Sequence, residues 1–548
     1  MNYGNDALQN AIRINHRGFL PHSQKRFIFT ENDAKCDEFT LFSVDDVKEI
    51  PVLTKKMSRA VENGREIYVG DFSEITESGD YFIKIGEKSS RQFVICEQAY
   101  DICQRVMLEY FTYQRCGHAL GWAGKCHLDD GYIKETGERV DLSGGYHQSC
   151  DLRKSPGGVS IGVLSMLRFA VSDRSDWGEI RVRDEVAWAC DYYVKTIQEN
   201  GVMYNTLNDP LGWNGRIFYK SGAPSSAQWN VTAILALGYE YFKERDAKRA
   251  KKYLDASLRS FEYMTSSARP SEVYKHPDRY QVGMDPDFFY DQCFTDSSAD
   301  LAYQITVGAT LYRVAGLEKG LELVKRATPL LLDTVEGSTV WRNDNRKKTV
   351  LASCSYCWLM GGLLALCDAY ELLGNEFGLK DALTKALDEI CDFASKDSWR
   401  IVQKTFSDGD LDVVDGHEGK TRRQAIRNLV KAKNGLYYSE NEIFEPTVAC
   451  YFGIVLARGA RLLENERYLG YAQSVADNLL GANPLDSSHV RGIGYNHAQH
   501  MSYGQFFPST PFIPGAVGVG YSSLDTYSIT SEYDMPCVGL SMYLLSLL

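Results

Sequence analysis

The hydrophobic pattern changes once along this chain, and that change limits the fold more than any other feature. Between residues 12 and 96, short apolar runs alternate with turn residues, which is typical of the strands of a small β-sandwich. Beyond that segment, apolar residues recur at helical spacing, as they do between Val186 and Ile197. The sequence therefore predicts a multidomain chain, with a β-sandwich over residues 1–97 and an all-α domain over residues 98–548.

Twelve segments of the second domain have the helical pattern, and no strand–helix alternation interrupts them. Six helical hairpins closed into an (α/α)6 barrel fit this number; a helical solenoid is the alternative, although no fixed-period repeat supports it. The helical segments are 98–116, 156–171, 186–197, 225–243, 247–265, 297–315, 317–333, 349–373, 378–396, 446–463, 466–480 and 534–548. Long connections usually carry function on such a scaffold. They are 117–155, 202–224, 267–296 and 481–533.

Charge and composition exclude several classes of function. The chain has 60 Lys and Arg residues against 72 Asp and Glu residues, a net charge of −12, and no basic cluster that could follow a phosphate backbone. We therefore expect no nucleic acid as a partner, and no membrane, because no run of about 18 apolar residues occurs. The 14 cysteines are spread over 548 residues and Met1–Ala11 has no apolar signal core, so we expect a reduced, cytoplasmic protein. The oligomeric state stays open.

Two carboxylates stand beside predicted helices and could do acid–base chemistry. Asp151 follows the pair Gly144-Gly145 and precedes a helix, where it could equally be a helix cap. Glu532 precedes the last helix, where it is either a carboxylate favoured at a helix N-terminus or a general acid held among aromatic side chains. Their spacing alone does not decide between these roles.

The first long connection contains the donors of a tetrahedral zinc site, two thiolates and two imidazoles, with ordinary buried residues as the alternative. These residues are Cys116, Cys126, His127 and His147. Acidic clusters at Asp129-Asp130 and Asp285-Pro286-Asp287 could hold calcium, but neither has an EF-hand pattern and a solvated acidic loop is the alternative.

The last long connection is rich in polar and aromatic residues that could line a sugar site. Tyr495, His497 and His500 lie in one short stretch of it, although histidines in loops are often bystanders. We interpret these three residues as candidate substrate-binding residues.

Several short motifs occur together in one order along the chain. Ile14–Pro21 reads INHRGFLP, Gly144–His147 reads GGYH, and Leu479–Pro484 reads LLGANP, followed by Gly492-Ile493-Gly494. With these motifs the chain resembles glycoside hydrolase family 9, in the subgroup with an N-terminal immunoglobulin-like domain. The family's counterparts are "xNQxGYxP", the segment before its catalytic "DAGD", and "LLGxNP…TGxG". The resemblance covers essentially the whole chain and implies an immunoglobulin-like sandwich followed by an (α/α)6 barrel.

The resemblance also implies an inverting mechanism. In the family, the second Asp of "DAGD" is the general base and a Glu near the C-terminus is the general acid, and these roles fall here on Asp151 and Glu532. The two carboxyl groups of an inverting enzyme lie about 6.5–9.5 Å apart to admit the attacking water. The same subgroup has a structural zinc site, which the resemblance assigns to the four Cys and His residues named above.

This sequence departs from the family's motifs at three places. Gln148 stands where the family has the Asp that helps to hold the attacking water, and Ser149-Cys150 replaces its Ala-Gly pair. The "HHR" substrate segment falls on Ser502-Tyr503-Gly504. When the chain is aligned without a gap on its last proline, the family's acid falls on Ser528, and a shortened loop is needed to place it on Glu532.

We therefore expect an inverting glycoside hydrolase that cleaves β-glycosidic bonds in short gluco- or glucosamino-oligosaccharides. Asp151 is the expected base and Glu532 the expected acid, while Gln148 joins the candidate substrate-binding residues. Some of the 34 Tyr, 24 Phe and 8 Trp side chains would then stack on sugar faces. The alternative is a catalytically weak or inactive carbohydrate-binding protein that keeps the fold and the metal site.

Overall fold

The structure is a computed structural model, and it describes every residue of the chain except those in the segments named next. The segments outside the description are 1–8, 31–36, 63–64, 120–123, 150–151, 153, 155, 173–178, 207–216, 221–222, 224, 267–297, 334–360, 403–407, 413, 416–419, 426–428, 432–436, 440–444, 499–512 and 519–531.

Within its described residues, the first domain consists of strands, as the alternating pattern predicts. They are β1 (Ile12–Arg13), β2 (Gly18–Phe19), β3 (Arg26–Phe29), β4 (Glu38–Asp45), β5 (Lys48–Lys56), β6 (Ser58–Glu62), β7 (Arg65–Asp71), β8 (Gly79–Ile85), β9 (Lys88–Ser89) and β10 (Phe93–Ile95). One sheet has the order β1-β3-β7-β6, and the other has the order β2-β10-β8-β4-β5 with β9 paired to β8. Rings from both sheets, including Phe19 and Phe27, share one buried core, which makes the domain a sandwich.

The second domain is helical. Its helices are α1 (Asp101–Tyr113), α2 (Pro156–Ala170), α3 (Glu179–Thr196), α4 (Ser225–Phe242), α5 (Ala247–Thr265), α6 (Ser298–Ala315), α7 (Glu318–Asp333), α8 (Gly361–Leu373), α9 (Leu379–Ala394), α10 (Asp408–Leu411), α11 (Arg422–Ala425), α12 (Pro446–Leu463), α13 (Glu466–Leu479) and α14 (Met535–Leu547). Short elements in the connections are β11 (Tyr132–Ile133), β12 (Asn205–Thr206), β13 (Ile217–Tyr219), β14 (Val414–Asp415), β15 (Lys420–Thr421), β16 (Leu429–Lys431), β17 (Tyr437–Ser439) and a 3₁₀ turn at Glu376–Gly378.

Six of the long helices form an inner ring. Neighbours in this ring pack in the order α2, α4, α6, α8, α12, α14, and α14 packs against α2 to close it. The inner helices are buried on nearly all sides; α12, for example, is apolar enough to cross a membrane by length and composition, yet 83% of it is buried inside the protein. The outer helices α1, α3, α5, α7, α9 and α13 each cover this ring with one apolar face. The predicted (α/α)6 barrel is thereby confirmed.

An ion-pair network around the buried Asp368 joins the C-terminal ends of four inner helices, α2, α6, α8 and α12. Asp368 of α8 accepts from Arg458 of α12 at 2.6 Å and lies 3.5 Å from Arg168 of α2. Glu371 pairs with Arg458 and with Arg313 of α6. Burial opposes the charge of Asp368, but the two guanidinium groups outweigh it and hold the pKa of this carboxyl below its usual range. This end of the barrel is therefore sealed by paired charges.

The sandwich packs against the segment that follows α13. His16 donates its backbone N–H to the Leu480 carbonyl at 2.9 Å, and its ring nitrogen Nε2 lies 2.9 Å from a carboxylate oxygen of Asp486. Arg91 reaches the other oxygen of Asp486 at 3.2 Å. Strand β10 ends at Ile95 and α1 begins at Asp101, while the boundary between residues 97 and 98 itself stays a prediction.

Candidate active site

The segment that leads to Asp151 pairs with the segment that leads into α14. Ser149 and Asp534 form an antiparallel bridge, and the backbone N–H of Met535 donates to the Gln148 carbonyl at 3.1 Å. The Ser149 hydroxyl also donates a hydrogen bond to a carboxylate oxygen of Glu532. Residues that are 383 positions apart in sequence therefore meet at the N-terminal ends of α2 and α14, opposite the sealed end of the barrel.

Several predicted site residues lie outside the described residues. These are Asp151, His500, the segment 502–504, Ser528 and the second acidic cluster at 285–287. The predictions made for them stay predictions. Glu532, by contrast, is described, and it is half-buried beside Ser149.

Gln148 lies buried at the start of the barrel, with 8% of its surface exposed. The backbone carbonyl of Gln148 accepts a hydrogen bond from the Tyr110 hydroxyl at 3.3 Å, and the side-chain amide takes no part in this contact. That amide lies against Gly158 in the first turn of α2, where an added Cβ would stand 2.6 Å from the amide carbon. No hydrogen bond of this amide to another residue is present in the described part of the chain.

Glu532 is held by a short antiparallel arrangement. Its neighbour Tyr533 forms a bridge with Gly518, and the Asp534 N–H donates to the Val517 carbonyl at 3.2 Å. Val517 in turn forms a bridge with Val490 of the connection after α13. The Tyr533 ring packs edge-on against Tyr110 at 5.8 Å between ring centres. The backbone that directly follows Glu532 is thus held by Val517 and Gly518 on one edge and by Gln148 and Ser149 on the other.

The candidate residues of the last connection lie near the sandwich. His497 Nδ1 donates to the Ser488 carbonyl at 3.1 Å, and burial lowers the pKa of His497 to about 4, so the ring is neutral at physiological pH. Tyr495 is 47% exposed and packs against His16 at 5.4 Å and under the Arg91 guanidinium at 4.2 Å. Their contacts are with their own loop and with the first domain, and their role in sugar binding stays a prediction.

The four predicted metal ligands are brought together and are all buried. One ligand atom from each lies within 4.8 Å of the others, and the Cys126 sulfur lies 3.5 Å from His147 Nε2. A tetrahedral zinc ion with bonds of about 2.0–2.3 Å would space its ligand atoms about 3.3–3.8 Å apart, so only small shifts are needed. The set of two thiolates and two imidazoles also suits zinc.

The electrostatics of this cluster favour a deprotonated thiol. Burial raises the pKa of Cys116, but hydrogen bonds with Cys126 and His127 and the charges of Lys154 and His147 outweigh it. The net result is a pKa well below the usual value. Metal-binding cysteines coordinate as thiolates, so the donor set is prepared to bind a cation.

A buried glutamate that sequence reasoning missed supports the cluster. Glu185 of α3 accepts from the Tyr146 hydroxyl at 2.8 Å and from Arg115 at 2.8 Å. The backbones of Arg115 and Tyr146 form a bridge with each other, next to the ligands Cys116 and His147. Glu185 has charged neighbours in the sequence, which indicate an exposed helix face. The signal for its burial is that it lies next to the apolar positions of α3.

One acidic residue of the calcium candidate is engaged in an ion pair. Asp130 accepts from Lys154 at 2.6 Å, and both side chains are almost fully buried. Lys154 also donates to the Leu142 carbonyl at 3.4 Å and lies over the Tyr192 ring at 4.9 Å. Its ammonium takes the place that a cation would have at this carboxylate.

A helical barrel thus follows a β-sandwich, and the candidate acid Glu532 lies at one end of that barrel. The family model "Glycosyl hydrolase family 9" matches residues 100–505, and the model "Cellulase N-terminal ig-like domain" matches residues 7–90. The chain belongs to glycosyl hydrolase family 9, and its sandwich is the immunoglobulin-like domain that the sequence motifs predict.

Individual relatives agree with this membership. A cellodextrinase of Butyrivibrio fibrisolvens is 27% identical over 305 residues, which are 50% of this chain and 54% of that protein. A Bacteroides ovatus family 9 structure matches with a TM-score of 0.66 and 18% identity over 98% of both chains. A zinc-binding triple mutant of the family 9 endoglucanase J30 matches with a TM-score of 0.68 and 16% identity, over 96% of this chain and 99% of that one. The chain spans about half the length of the curated relatives it matches.

Proposed function

We propose that this protein hydrolyses β-glycosidic bonds in short gluco- or glucosamino-oligosaccharides with inversion, with Glu532 as general acid and Asp151 as general base. The observation that carries the proposal is the hydrogen bond from Ser149 to Glu532. Ser149 precedes Asp151 by two residues in sequence, so the segment bearing the proposed base is tied to the proposed acid. The similarity to a cellodextrinase supports a substrate of short β-glucan chains.

The proposed reaction is a single displacement. Glu532 gives its proton to the glycosidic oxygen as the bond from that oxygen to the anomeric carbon breaks. Asp151 takes a proton from water, which attacks the anomeric carbon from the opposite face. Positioned acid and base groups each contribute about 10²–10⁴-fold to such a reaction.

Gln148 takes part by holding the attacking water. Its amide is buried at the barrel end, rests on Gly158 and has no hydrogen-bond partner in the described part of the chain. An amide orients water through its oxygen and its N–H groups, but it does not share the proton that a carboxylate would take. Turnover then depends more heavily on Asp151 than it would with two carboxylates.

We propose zinc as the metal of the four-residue cluster, held by Cys116, Cys126, His127 and His147. With four protein ligands the metal has no open position, so its contribution when bound is to fix the loop and not to activate water. His147 precedes Ser149 by two residues, so the same loop carries the hydrogen bond to Glu532. Calcium stays unassigned.

A second candidate function follows from Gln148. With a neutral amide in place of the family's first Asp, the protein could be a catalytically weak or inactive carbohydrate-binding protein.

The cytoplasmic location is likewise a proposal, supported by the nine cysteines that are free in the described part of the chain.

One assay separates the two functions. Purified protein is incubated with β-linked gluco- and glucosamino-oligosaccharides, and products are followed by chromatography and by NMR of the anomeric proton. We expect α-anomers as first products, and losses of about 10²–10⁴-fold for Asp151→Asn and Glu532→Gln. Oligosaccharide binding without turnover would instead identify the non-catalytic protein.

A further inference from the structure

We propose that Ser149 is a positioning residue for the acid step, fixing which oxygen of Glu532 carries the transferred proton. The inference rests on the proposed function of Glu532 as general acid. The Ser149 hydroxyl donates a hydrogen bond to Oε1 of Glu532, and Ser149 is buried, with 4% of its surface exposed. The resembling motif has alanine at this position, so the hydroxyl is a feature of this chain.

The backbone around Ser149 makes the contact a fixed one. The bridge between Ser149 and Asp534 and the bond from the Met535 N–H to the Gln148 carbonyl hold the two segments in one register. Glu532 lies two residues before Asp534 in the same extended stretch, so its carboxylate has a defined approach to the hydroxyl. Neither segment can slide without breaking these backbone contacts.

The direction of the hydrogen bond selects the protonated oxygen. An oxygen that accepts from a hydroxyl is engaged, so the proton of the neutral acid stays on Oε2. Oε2 then protonates the glycosidic oxygen while the bond to the anomeric carbon breaks, and Glu532 is left as a carboxylate. The donated hydrogen bond stabilises that carboxylate, which favours proton departure, and solvent returns the proton afterwards.

Other titratable or charged groups lie on the elements around Glu532. The described titratable or charged residues on the elements packed around this stretch include Asp534, Tyr533, Tyr110, Arg491 and His489. The proposed base Asp151 is close in sequence to Ser149. A substitution at Ser149 leaves all of these groups in place, so its effect on the acid step can be measured by itself.

The test compares two leaving groups. An unactivated β-linked oligosaccharide needs protonation of its leaving oxygen, whereas a dinitrophenyl β-glycoside leaves without it. For Ser149→Ala we expect kcat/KM to fall about 5–10-fold on the oligosaccharide and less than about 2-fold on the dinitrophenyl glycoside. We also expect the alkaline limb of the pH–rate profile to move up by about 0.5–1 pH unit, because the carboxylate loses a stabilising donor.

Matched variants complete the test. Ser149→Thr keeps the hydroxyl and should restore both readouts, and Ser149→Cys, a weaker donor, should lie between Ser and Ala. Ser165→Ala is the control, because Ser165 is a buried serine whose hydroxyl donates to the Ile161 carbonyl of its own helix, at 2.9 Å. If Ser149→Ala does not fold, the Cys variant decides the question.

The outcomes separate the inference from the proposed function. If Glu532→Gln fails selectively on the oligosaccharide while Ser149→Ala loses activity equally on both substrates, the acid assignment stands and Ser149 is merely structural. If Glu532→Gln retains activity on the oligosaccharide, the acid assignment is wrong and the role of Ser149 falls with it. Selective losses in both variants support both statements.

Discussion

Asp477 of α13 accepts a hydrogen bond from the Asn15 side chain of the sandwich, with 2.9 Å between Oδ1 and Nδ2. Gln473, one turn earlier in the helix, donates to the same oxygen at 2.8 Å. Burial outweighs these donors and raises the pKa of Asp477 from 3.8 to about 7. A titratable carboxyl group therefore stands at the junction of the two domains.

This carboxyl group should make stability depend on pH. The folded chain holds the Asp477 proton between about pH 4 and 7 while the unfolded chain releases it, so stability falls as pH rises through that window. Asp477→Asn should remove the effect and stabilise the protein at pH 8 by about 1–3 kcal/mol, with little change at pH 4. Thermal unfolding at both pH values measures this. Asp255 is an exposed aspartate of α5, so the control variant Asp255→Asn should leave the thermal stability unchanged at both pH values.

The buried ion network at the sealed barrel end should be costly to break. Arg458→Ala removes the closer of the two arginine partners of Asp368 and leaves that carboxylate buried, so we expect a loss of about 3–5 kcal/mol. The exposed Arg467, which pairs with Asp388 on the barrel surface, provides the comparison, since Arg467→Ala should cost less than about 1 kcal/mol. Urea unfolding gives both values, and equal losses would contradict a special role of the network.

Gly158 should be needed for activity and not for stability. In Gly158→Ala the new Cβ would displace the Gln148 amide, so kcat should fall by about 10–100-fold. The same change should raise or leave unaltered the melting temperature, because alanine is the better helix former by about 1 kcal/mol. At Gly361 an added Cβ meets only Ala302, at 3.7 Å, so Gly361→Ala should leave kcat unchanged. Full activity in Gly158→Ala would show that the amide position does not matter.

Loss of one predicted zinc ligand should empty the metal site. Cys126→Ser replaces a thiolate by a hydroxyl, and we expect elemental analysis to fall from about one zinc per chain to nearly none, with a lower melting temperature. A strong chelator should have the same effect on the unaltered protein, and added zinc should reverse it. Cys96→Ser, a free cysteine outside the cluster, should keep the metal. Retention of zinc by Cys126→Ser would point to a different ligand set.

Much of the fold could be predicted because burial leaves a local record in the sequence. An inner helix such as α12 reads as apolar on all sides, and an outer helix such as α3 reads as apolar on one face. The four candidate ligands could also be named from the sequence because Cys and His are uncommon residue types, but the residues alone left ordinary buried side chains as the alternative, and the family resemblance implied the site.

The contacts of the candidate site could not be predicted in the same way. Ser149 meets Glu532 across 383 positions, and no local pattern specifies such a pairing. Glu185 stands next to Asp184 and near Arg183, so its neighbours suggest a solvated helix face, whereas it is buried against Tyr146 and Arg115. A buried polar residue that hydrogen-bonds to other polar residues produces no periodic apolar pattern in the sequence.

The closure of the inner ring between α2 and α14 has a consequence for biosynthesis. At about 5–20 residues per second, the ribosome needs roughly 20–75 s to make the stretch that separates Ser149 from Glu532. Throughout that interval α2, which is buried on nearly every side in the finished barrel, has no permanent neighbour on the side that α14 will cover. We therefore expect the nascent chain to need protection of this apolar face until α14 has been made and docks against α2.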